Sequence, residues 1–435
     1  MIGALAAADA GAQVLLLERD LGGSSNLLVS GGLFPAAGSR FQRAAGVEDS
    51  AARWAADIRA KAGGDANEAI VDAVAARSAD VAHFLADRAG VAVQFTSIAA
   101  PGHSVQRLHA TPAASGRELH ALMRAAVAGH ARISVLDHVH TARLIERDGA
   151  VCGVEAQAGG EPRSFHARAV LLATGGFAAN RALLAEFIPQ VADALHIGGG
   201  PNDGCAIEWA RALGAGVAMM DGYQGQGHVN PRGGTRFGMG LPLLGALLVN
   251  RAGVRFVRED IGPSELAAFV LAQPGGVALE VFDRQAHEAT LKQGPYRDAH
   301  AAGNVISAPD PESLARAAGM DSAAFARTFA DFLGYARGEA ADPLGRTRFG
   351  RTLAAPLYAG WVTGALAHTQ GGLRVDARAR VCRRDGSPIA GLYAAGGAAA
   401  SLAGKGGEGY LPGNGLGQSF GLGLIAGEEM ASGSR

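Results

Sequence analysis

The chain has 435 residues, with 39 basic and 40 acidic side chains and a formal net charge of −1. This length exceeds what one compact core usually holds and favours two domains. The balanced charge gives no electrostatic basis for binding nucleic acid or an anionic membrane surface. No stretch of the sequence approaches the ~20 apolar residues that span a bilayer. The 64 glycines form short clusters between apolar runs, which predicts close approach of the backbone to a large ligand.

The three cysteines, Cys152, Cys205 and Cys382, have no CxxC spacing. This sparse, odd count argues against a disulfide framework, a zinc site and attached haem, and it predicts buried free thiols. The apolar N-terminal run lacks a basic segment and contains Asp9 and Gln13, which argues against a signal peptide. We therefore expect a cytoplasmic protein in a reducing compartment.

The apolar patterns predict mixed helices and strands. A first helix is predicted to end at Gly11, and the strand at 13–19 that follows is expected to be buried on both faces, as in a parallel sheet. Asp203 and Gly214 fit the start and end of a later helix. The remaining predictions in the first half are helices at 49–62, 68–88 and 116–129, and strands at 133–137, 141–147, 151–157 and 169–173.

The first helix and strand resemble the later part of a dinucleotide-binding βαβ unit. In such a unit, a strand leads into a glycine-rich turn at a helix N-terminus, and a second strand ends in an acidic residue that holds the ribose. Glu18 occupies that acidic position here. The first strand and its GxGxxG turn would precede Met1 and are absent from the sequence. We expect either a start codon assigned too late or a truncated product.

Two further apolar strands also end in glycines, LLATGGF at 171–177 and GLYAAGG at 391–397. Strands that end in glycine at one edge of a sheet leave a crevice in which a flat cofactor can lie against the backbone. The sequence therefore predicts a nucleotide cofactor site built from both ends of the chain.

The order of these motifs resembles soluble fumarate reductases and their relatives, the succinate dehydrogenase flavoprotein subunits and the 3-ketosteroid dehydrogenases. The similarity spans nearly the full chain. The motifs that carry it are Glu18, GGSSNLLVSGG at 22–32, ATGGF at 173–177, NDG at 202–204, NRAGVRF at 250–256, HTQGG at 368–372 and GLYAAG at 391–396.

The resemblance implies an α/β fold in which a Rossmann-like, GR2-like FAD-binding domain carries an inserted α+β capping domain that closes over the flavin. A shift in composition near Tyr223 marks the start of the insertion. The implied domains are a first FAD-binding part at 1–222, the capping, substrate-binding domain at 223–366, and a C-terminal FAD-binding part at 367–435.

The cofactor that the resemblance implies is FAD. The loop at 22–32 contains no His to attach the flavin, so we expect FAD to be non-covalent. Family members usually carry Glu where this chain has Gly397, and a ribityl hydrogen bond is expected to be lost. The implied cofactor-binding residues are Glu18, Ser24, Ser25, Gly31, Gly32, Ala173, Thr174, Gly175, Gly176, Asp203, Gly396, Gly415 and Leu416.

The resemblance places two histidines, His228 and His368, where fumarate reductases hold their dicarboxylate. The two arginines of that clamp fall on Pro263 and Tyr410, which argues against fumarate or succinate as the substrate. Tyr410 opens the turn YLPGNG, which resembles the tyrosine turn of ketosteroid dehydrogenases. We hypothesise that Tyr410 and the backbone N–H groups at 413–415 stabilise a developing enolate oxygen.

The leading hypothesis is an FAD-dependent oxidoreductase that reduces or forms a C=C bond conjugated to a carbonyl or carboxyl group, with hydride exchanged at flavin N5. Its partners would be a small-molecule substrate and an electron donor or acceptor of unknown identity. The alternative is a truncated, non-catalytic α/β protein that binds no FAD. Two charged segments are predicted to be solvated, the loop at 103–109 and the ion-pair run at 258–260.

Overall fold

The computed structural model describes residues 1–98, 100–237 and 240–433. The chain forms two units. The first unit comprises Met1–Leu183, Gly198–Tyr223 and His368–Arg435, and the second comprises Leu184–Ile197 and Gln224–Ala367. The second unit thus takes in a segment at 184–197 that lies outside the range expected for the inserted domain.

The first unit contains the following helices: Ile2–Asp9, Asn26–Val29, Arg40–Ala44, Ala51–Ala62, Glu68–Asp87, Gly116–Ala128, Cys205–Ala212, Asn414–Ser432 and the short 3₁₀ turn Gly396–Ala398. Its strands are Val14–Leu17, Phe34–Pro35, Gln94–Phe95, Leu108–Ala110, Ile133–Leu136, Val139–Arg147, Ala150–Ala158, Glu161–His166, Val170–Leu172, Val217–Ala218, Gly372–Leu373, Arg380–Cys382 and Pro388–Ala394. The helix Arg181–Phe187 crosses the boundary between the units.

The strand Pro388–Ala394 organises the largest sheet of the first unit, which has six strands. It pairs in parallel with Val170–Leu172, so that Leu392 lies opposite Val170 and Ala394 opposite Leu172. Parallel strands in register end at the same edge of a sheet, so the segments that follow these two strands lie side by side. This pairing brings together two of the glycine-rich segments predicted to bind the cofactor.

The strand Val14–Leu17 lies in a separate two-stranded sheet, paired in parallel with Ile133–Leu136. The prediction that it is buried on both faces was wrong, because Leu15 is 45% exposed. Among the described strands it has this single neighbour, and the alternation of side chains directs Leu16 into the helical core and Leu15 away from it.

The core of the first unit is formed by helices that pack against the C-terminal helix, Asn414–Ser432. The first helix, Ile2–Asp9, approaches it so closely that a Cβ atom added at Gly427 would lie 2.4 Å from the carbonyl oxygen of Gly3. A Cβ atom at Gly423 would lie 2.5 Å from the Ile2 side chain. Glycine is therefore required at the crossing of the two helices.

The second unit is built around a six-stranded sheet, flanked by helices. Its strands are Leu195–His196, Tyr223–Val229, Leu247–Val249, Val277–Asp283, Ile306–Ala308 and Leu357–Thr369, of which Tyr223–Val229 begins and Leu357–Thr369 ends in the first unit. Its helices are Pro263–Leu271, Arg284–Thr290, Gly294–Ala301, Pro311–Ala318 and Ser322–Ala336, with 3₁₀ turns at Pro189–Val191, Pro242–Leu244 and Pro274–Gly276.

Each face of this sheet is covered by a separate apolar cluster. Along the central strand Val277–Asp283, Leu279 and Val281 belong to one cluster, and Ala278 and Phe282 belong to the other. Both faces of the strand are thus buried, and successive side chains alternate between the two clusters. Among the described residues, no helix in either unit has the length and apolar character needed to cross a membrane.

The two charged segments predicted to be solvated are only partly so: Ser104 is exposed and the Arg258 side chain, paired with Asp260, is 42% exposed, but the predictions were wrong for Arg107 and Glu259. Arg107 is fully buried in the first unit, where its guanidinium contacts the carboxylates of Asp49 and Asp57. Glu259 is 1% exposed in the second unit, where it accepts hydrogen bonds from Arg255 at 2.8 Å. Buried charges are tolerated here because each has partners of opposite charge at hydrogen-bond distance.

We predict that Gly427→Ala destabilises the protein, although alanine is ordinarily the better helix former. Overpacking costs about 1–3 kcal/mol, more than the roughly 0.5–1 kcal/mol that alanine gains over glycine in a helix. Thermal unfolding should begin at a lower temperature. Gly433→Ala is the control, because an added Cβ there meets its nearest neighbour at 3.7 Å. An unfolding temperature of Gly427→Ala at or above that of the control would contradict this packing.

Candidate functional site

The two glycine-ended strands of the largest sheet meet in backbone contact. A Cβ atom at Gly397 would lie 2.7 Å from the backbone nitrogen of Gly176, so position 397 has no room for a side chain. Gly175 and Gly396 have φ angles of 86° and 64°, in the left-handed region that favours glycine. The space that a Glu at position 397, expected from the resemblance, would occupy is therefore filled by the segment that contains Gly176.

Asn202 links this edge to a further segment, and the sequence reasoning did not single out its role. Its side chain is 3% exposed. The Oδ1 atom accepts a hydrogen bond from Gly176 N–H at 3.2 Å, and the Nδ2 group donates to the carbonyl oxygen of Gly199 at 2.6 Å. A Cβ atom at Gly199 would in turn lie 2.2 Å from the carbonyl oxygen of Ser25 and 2.8 Å from Ser24 Oγ. The segments predicted to bind the cofactor are thus packed on one another.

Glu18 lies next to the same network. Its Oε1 atom accepts hydrogen bonds from the backbone of Arg19 at 2.7 Å and Asp20 at 3.2 Å. The guanidinium of Arg19 contacts Asp203 at 3.0 Å. Asp203 also accepts a hydrogen bond from Cys205 N–H at 3.1 Å. Glu18 and Asp203 are therefore joined through Arg19, while Glu18 Oε2 has no hydrogen bond to a described residue.

Thr174 is connected to this pair through Cys205. The thiol of Cys205 has hydrogen-bonding contacts with Thr174 and with Asp203. Burial, together with the nearby Asp203 carboxylate, raises the pKa of the Cys205 thiol to about 12. The thiol is protonated at neutral pH and serves as a hydrogen-bonding bridge. Ala173 and Thr174 follow the strand Val170–Leu172 directly.

Gly31 and Gly32 lie in the loop that follows the short helix Asn26–Val29, and this loop packs against the N-terminus of the helix Gly116–Ala128. Gly32 has a φ angle of 64°, and a Cβ atom there would lie 2.9 Å from the backbone nitrogen of Gly116. Gly116 N–H donates to Ser30 at 3.1 Å. The loop is fixed against a helix N-terminus, and its chain continues into the strand Phe34–Pro35, which packs on the C-terminal helix.

Gly415 and Leu416 are in the first turn of the C-terminal helix. The N–H groups of a first turn have no acceptor within the helix. Asn414, at the same end, is fully buried, and neither atom of its amide has a hydrogen-bond partner among the described residues. Asn414 lies in the turn YLPGNG, and no feature of the sequence indicated its role. Two unpaired amide atoms at a helix N-terminus indicate a place where a bound group completes the hydrogen bonding.

Tyr410 and His368 converge on this helix N-terminus. Their rings pack edge to face with centroids 5.7 Å apart. From the position of a Cβ atom built on Gly415, His368 Nε2 lies at 3.4 Å and the Tyr410 hydroxyl at 3.9 Å. Glycine at 415 therefore leaves open the small space that both polar groups border.

Both side chains are neutral hydrogen-bond donors at neutral pH. Burial raises the pKa of Tyr410 to about 12, although backbone hydrogen bonds from Gly413 and Gly415 to the phenol oxygen act in the opposite direction. Those N–H groups use the oxygen as an acceptor and leave the O–H free to donate. Burial lowers the pKa of His368, against a smaller opposite effect of the Thr369 carbonyl.

The tautomer of His368 follows from its neighbours. Gln370 Nε2, which can only donate, lies 3.1 Å from His368 Nδ1, whereas the carbonyl oxygen of Thr369 lies at 3.4 Å. The shorter contact makes Nδ1 an acceptor and assigns the proton of the neutral ring to Nε2, the atom that borders Gly415. Gln370 is a second residue whose role the sequence did not reveal.

The third predicted catalytic residue, His228, lies in the second unit. It is 1% exposed on the strand Tyr223–Val229, and its Nδ1 atom is 3.0 Å from a carboxylate oxygen of Glu280. The helix Pro263–Leu271 begins at Pro263. This position suits proline, because a backbone N–H in the first turn would have no acceptor within the helix. No cation stands at position 263, and Glu280 had no signal in the sequence beyond its polar character.

The residues of the first unit fit an FAD molecule. Glu18 Oε2 is available to a ribose hydroxyl, and the glycine-ended strands present backbone without side chains. The pyrimidine edge of a flavin carries both carbonyl acceptors and an N–H donor, which match the first-turn N–H group of Leu416 and the unpaired amide of Asn414. Left unpaired, buried polar atoms of this kind cost about 1–3 kcal/mol each.

Comparison with known proteins agrees with this fit. The FAD binding domain family (FAD_binding_2) matches residues 1–416. The probable fumarate reductase Ifc3 of Shewanella frigidimarina is 28% identical over 98% of this chain and 72% of its own length. The 3-oxosteroid 1-dehydrogenase of Mycolicibacterium smegmatis is 28% identical over 73% of this chain and 64% of its own.

Among solved structures, the open conformation of a flavocytochrome c3 fumarate reductase superposes with a TM-score of 0.85 at 27% identity, and the match covers 99% of this chain and 76% of that one. The fold and the order of motifs thus define a flavoprotein oxidoreductase. The chain belongs to the FAD binding domain family. The predicted family, the α/β fold class and the prediction of an FAD-dependent enzyme are confirmed.

We predict that Asn202→Leu lowers the flavin content of the purified protein. The substitution removes both hydrogen bonds that hold Gly176 and Gly199, and unpaired buried groups cost about 1–3 kcal/mol each. Flavin absorbance per mole of protein measures the effect. As a control, Asn304→Leu changes the same residue type on the second unit and should leave flavin content unchanged. Equal flavin content in both variants would contradict the role of Asn202.

Proposed function

We propose that the protein uses non-covalent FAD to reduce or form a C=C bond conjugated to a carbonyl group, and that Tyr410 and His368 bind the carbonyl oxygen. The observation that carries the proposal is the convergence of two neutral donors, the Tyr410 hydroxyl and His368 Nε2, on the helix N-terminus at Gly415. Preorganised donors of this kind stabilise negative charge that develops on oxygen in the transition state.

The chemistry of these donors favours a ketone or monocarboxylate over a dicarboxylate. A dicarboxylate carries two full negative charges, which proteins usually hold with the bidentate guanidinium of arginine. The two positions where the resemblance expects arginine carry Pro263 and Tyr410. Relatives named for steroid and fumarate substrates both exist, so the family membership alone leaves the choice open.

Bound FAD would supply the hydride to the carbon β to the carbonyl in its reduced form, or accept it from that carbon in its oxidised form. Tyr410 and His368 donate hydrogen bonds to the carbonyl oxygen and thereby stabilise the enolate character that arises when this hydride is exchanged. The dipole of the helix Asn414–Ser432 adds positive potential at the same oxygen. His228 in the second unit, the third residue predicted to be catalytic, is proposed to exchange the proton.

Tyr410→Phe is predicted to lower kcat by about 10²–10³-fold, the loss expected when one donor to a developing oxyanion is removed. The flavin spectrum and content should be unchanged, because the substitution removes a single oxygen atom. Tyr393→Phe is the matched control, since Tyr393 lies on the strand Pro388–Ala394 beside Arg378 and Glu429, away from the helix N-terminus. If Tyr410→Phe turns over as fast as Tyr393→Phe, the proposed role of Tyr410 is wrong.

The proposed substrate class is tested by anaerobic flavin reoxidation. Protein reduced with dithionite is mixed in turn with an α,β-unsaturated ketone, an acrylate-type monocarboxylate and fumarate. We expect reoxidation by the ketone or the monocarboxylate and a much slower reaction with fumarate. Rapid reoxidation by fumarate would contradict the proposed preference, and no reoxidation by any of the three would contradict the proposed reaction.

A further inference from the structure

A carboxylate stands in the apolar core of the second unit. Glu280 lies in the middle of the strand Val277–Asp283 and is fully buried. Alternation along the strand puts its side chain on the same face as Ala278 and Phe282, which belong to an apolar cluster. An apolar side chain such as leucine would be expected at this position of the core.

His228 is the ionisable partner of this carboxylate. Its Nδ1 atom lies 3.0 Å from Glu280 Oε1, and the two side chains are 2% and 0% exposed. The two atoms are close enough for an ion pair but are not aligned as in a hydrogen bond. Neither carboxylate oxygen of Glu280 has a hydrogen-bond partner among the described residues. His228 and Glu280 can therefore act as partners for each other.

The other ionisable group near Glu280 is already engaged. Tyr296 is fully buried, and burial together with the charge of Glu280 raises its pKa. Its hydroxyl lies 2.7 Å from His287 Nδ1, and burial lowers the pKa of His287, so that the neutral imidazole accepts the phenol proton. Tyr296 thus uses its proton on His287 and leaves Glu280 to His228.

A buried carboxylate with so few partners is unfavourable for stability. Replacing such an ion pair with apolar residues of similar volume is often neutral or stabilising. Each buried polar group that lacks hydrogen bonds in a folded protein requires an explanation, and a role in positioning another group is one of them. Glu280 and His228 are therefore better explained by chemistry than by packing.

The free ring atom of His228 is Nε2. Nε2 has no hydrogen bond to any described residue. Nδ1 is a fully buried atom without a hydrogen-bond partner, and Nε2 is not fully buried in this way. A carboxylate at Nδ1 holds the proton of the neutral ring on that atom and fixes the ring orientation. Nε2 is then the atom that can exchange a proton with a ligand.

We propose that Glu280 is a positioning residue that holds His228 with its Nδ1–H toward the carboxylate, so that Nε2 gives a proton to the substrate carbon or takes one from it. The inference rests on the proposed function, which requires proton exchange at the carbon adjacent to the carbonyl. The resemblance expects an arginine at position 263, where this chain has proline. The carboxylate–histidine pair would perform the acid–base task in its place.

The proton balance is simple. In the reducing direction, doubly protonated His228 gives its Nε2 proton to the carbon adjacent to the carbonyl and becomes neutral, with its remaining proton on Nδ1 facing Glu280. Bound FAD in its reduced form would be the source of the hydride that completes the addition. In the oxidising direction, neutral His228 accepts the proton at Nε2, bound oxidised FAD would accept the hydride, and the imidazolium is stabilised by the Glu280 carboxylate.

The first test is a tautomer measurement on the full-length protein, without substrate. Histidine is labelled with ¹⁵N, and the His228 ring signals among the 13 histidines are assigned from their loss in His228→Gln. We expect Nδ1 to be protonated in the unaltered protein and in Glu280→Gln, whose amide oxygen still accepts. In Glu280→Leu we expect the proton to move to Nε2. An unprotonated Nδ1 in the unaltered protein, or no change in Glu280→Leu, overturns the proposal.

The second test compares turnover with stability. Glu280→Gln should keep the flavin and the tautomer but lower kcat by about 10²–10⁴-fold, the range associated with general acid–base catalysis. The double variant His228→Leu/Glu280→Leu, which replaces both members of the pair, should lose kcat to at least the same extent while unfolding at the same or a higher temperature. Glu288→Gln, an exposed glutamate of the same unit, is the control and should retain full turnover.

These outcomes separate the inference from the proposed function. If Tyr410→Phe loses turnover but Glu280→Gln does not, the role of Glu280 is overturned and the proposed function stands. If the unaltered protein reduces no conjugated C=C bond, the proposed function is overturned and the acid–base role with it, whatever tautomer His228 has. Loss of kcat in both variants with the predicted tautomers supports both.

Discussion

The structure of the first unit depends on backbone contact between segments that carry no side chains. Gly176 and Gly397 touch where two parallel strands end, and the space is too small for a Cβ atom at either position, since an atom added at Gly176 would lie 2.4 Å from Thr369 Oγ1. This contact fixes the edge of the sheet against Asn202. It also leaves exposed backbone where a flat, polar cofactor can bind. The same use of glycine brings the first and last helices together at Gly427.

The helix N-terminus at Gly415 connects this scaffold to the proposed chemistry. The helix Asn414–Ser432 is held in place by the glycine crossing and presents the first-turn N–H group of Leu416 together with an unpaired amide at Asn414. Tyr410 and His368 reach the same point from a turn and from the end of a strand. Because both are neutral donors, we propose that the site binds an oxygen atom on which charge develops rather than a fully charged dicarboxylate.

Much of the architecture could be predicted from the sequence. The strands that end in ATGGF and GLYAAGG were identified from apolar runs closed by glycine, and the order of motifs was sufficient to predict the family. The burial of Arg107 and Glu259 could not be predicted, because a charged residue is buried only when distant parts of the chain supply its partners. The role of Asn202 was missed for the same reason, because Gly176 is distant in the sequence. Gln370 is only two residues from His368, but the sequence does not show that their side chains meet. Glu280 is polar at a position where alternation expects an apolar residue.

The central claim is that Tyr410 and His368 polarise a carbonyl oxygen, and the stretching frequency of a bound carbonyl tests it most directly. A saturated ketone, which cannot react, is bound to the flavin-containing protein with a ¹³C label in its carbonyl group, and the infrared difference spectrum is recorded. We expect a carbonyl band at lower frequency than in water, because two preorganised donors weaken the C=O bond more than solvent does. A bound ketone whose band lies at or above its frequency in water would show that Tyr410 and His368 do not polarise the carbonyl.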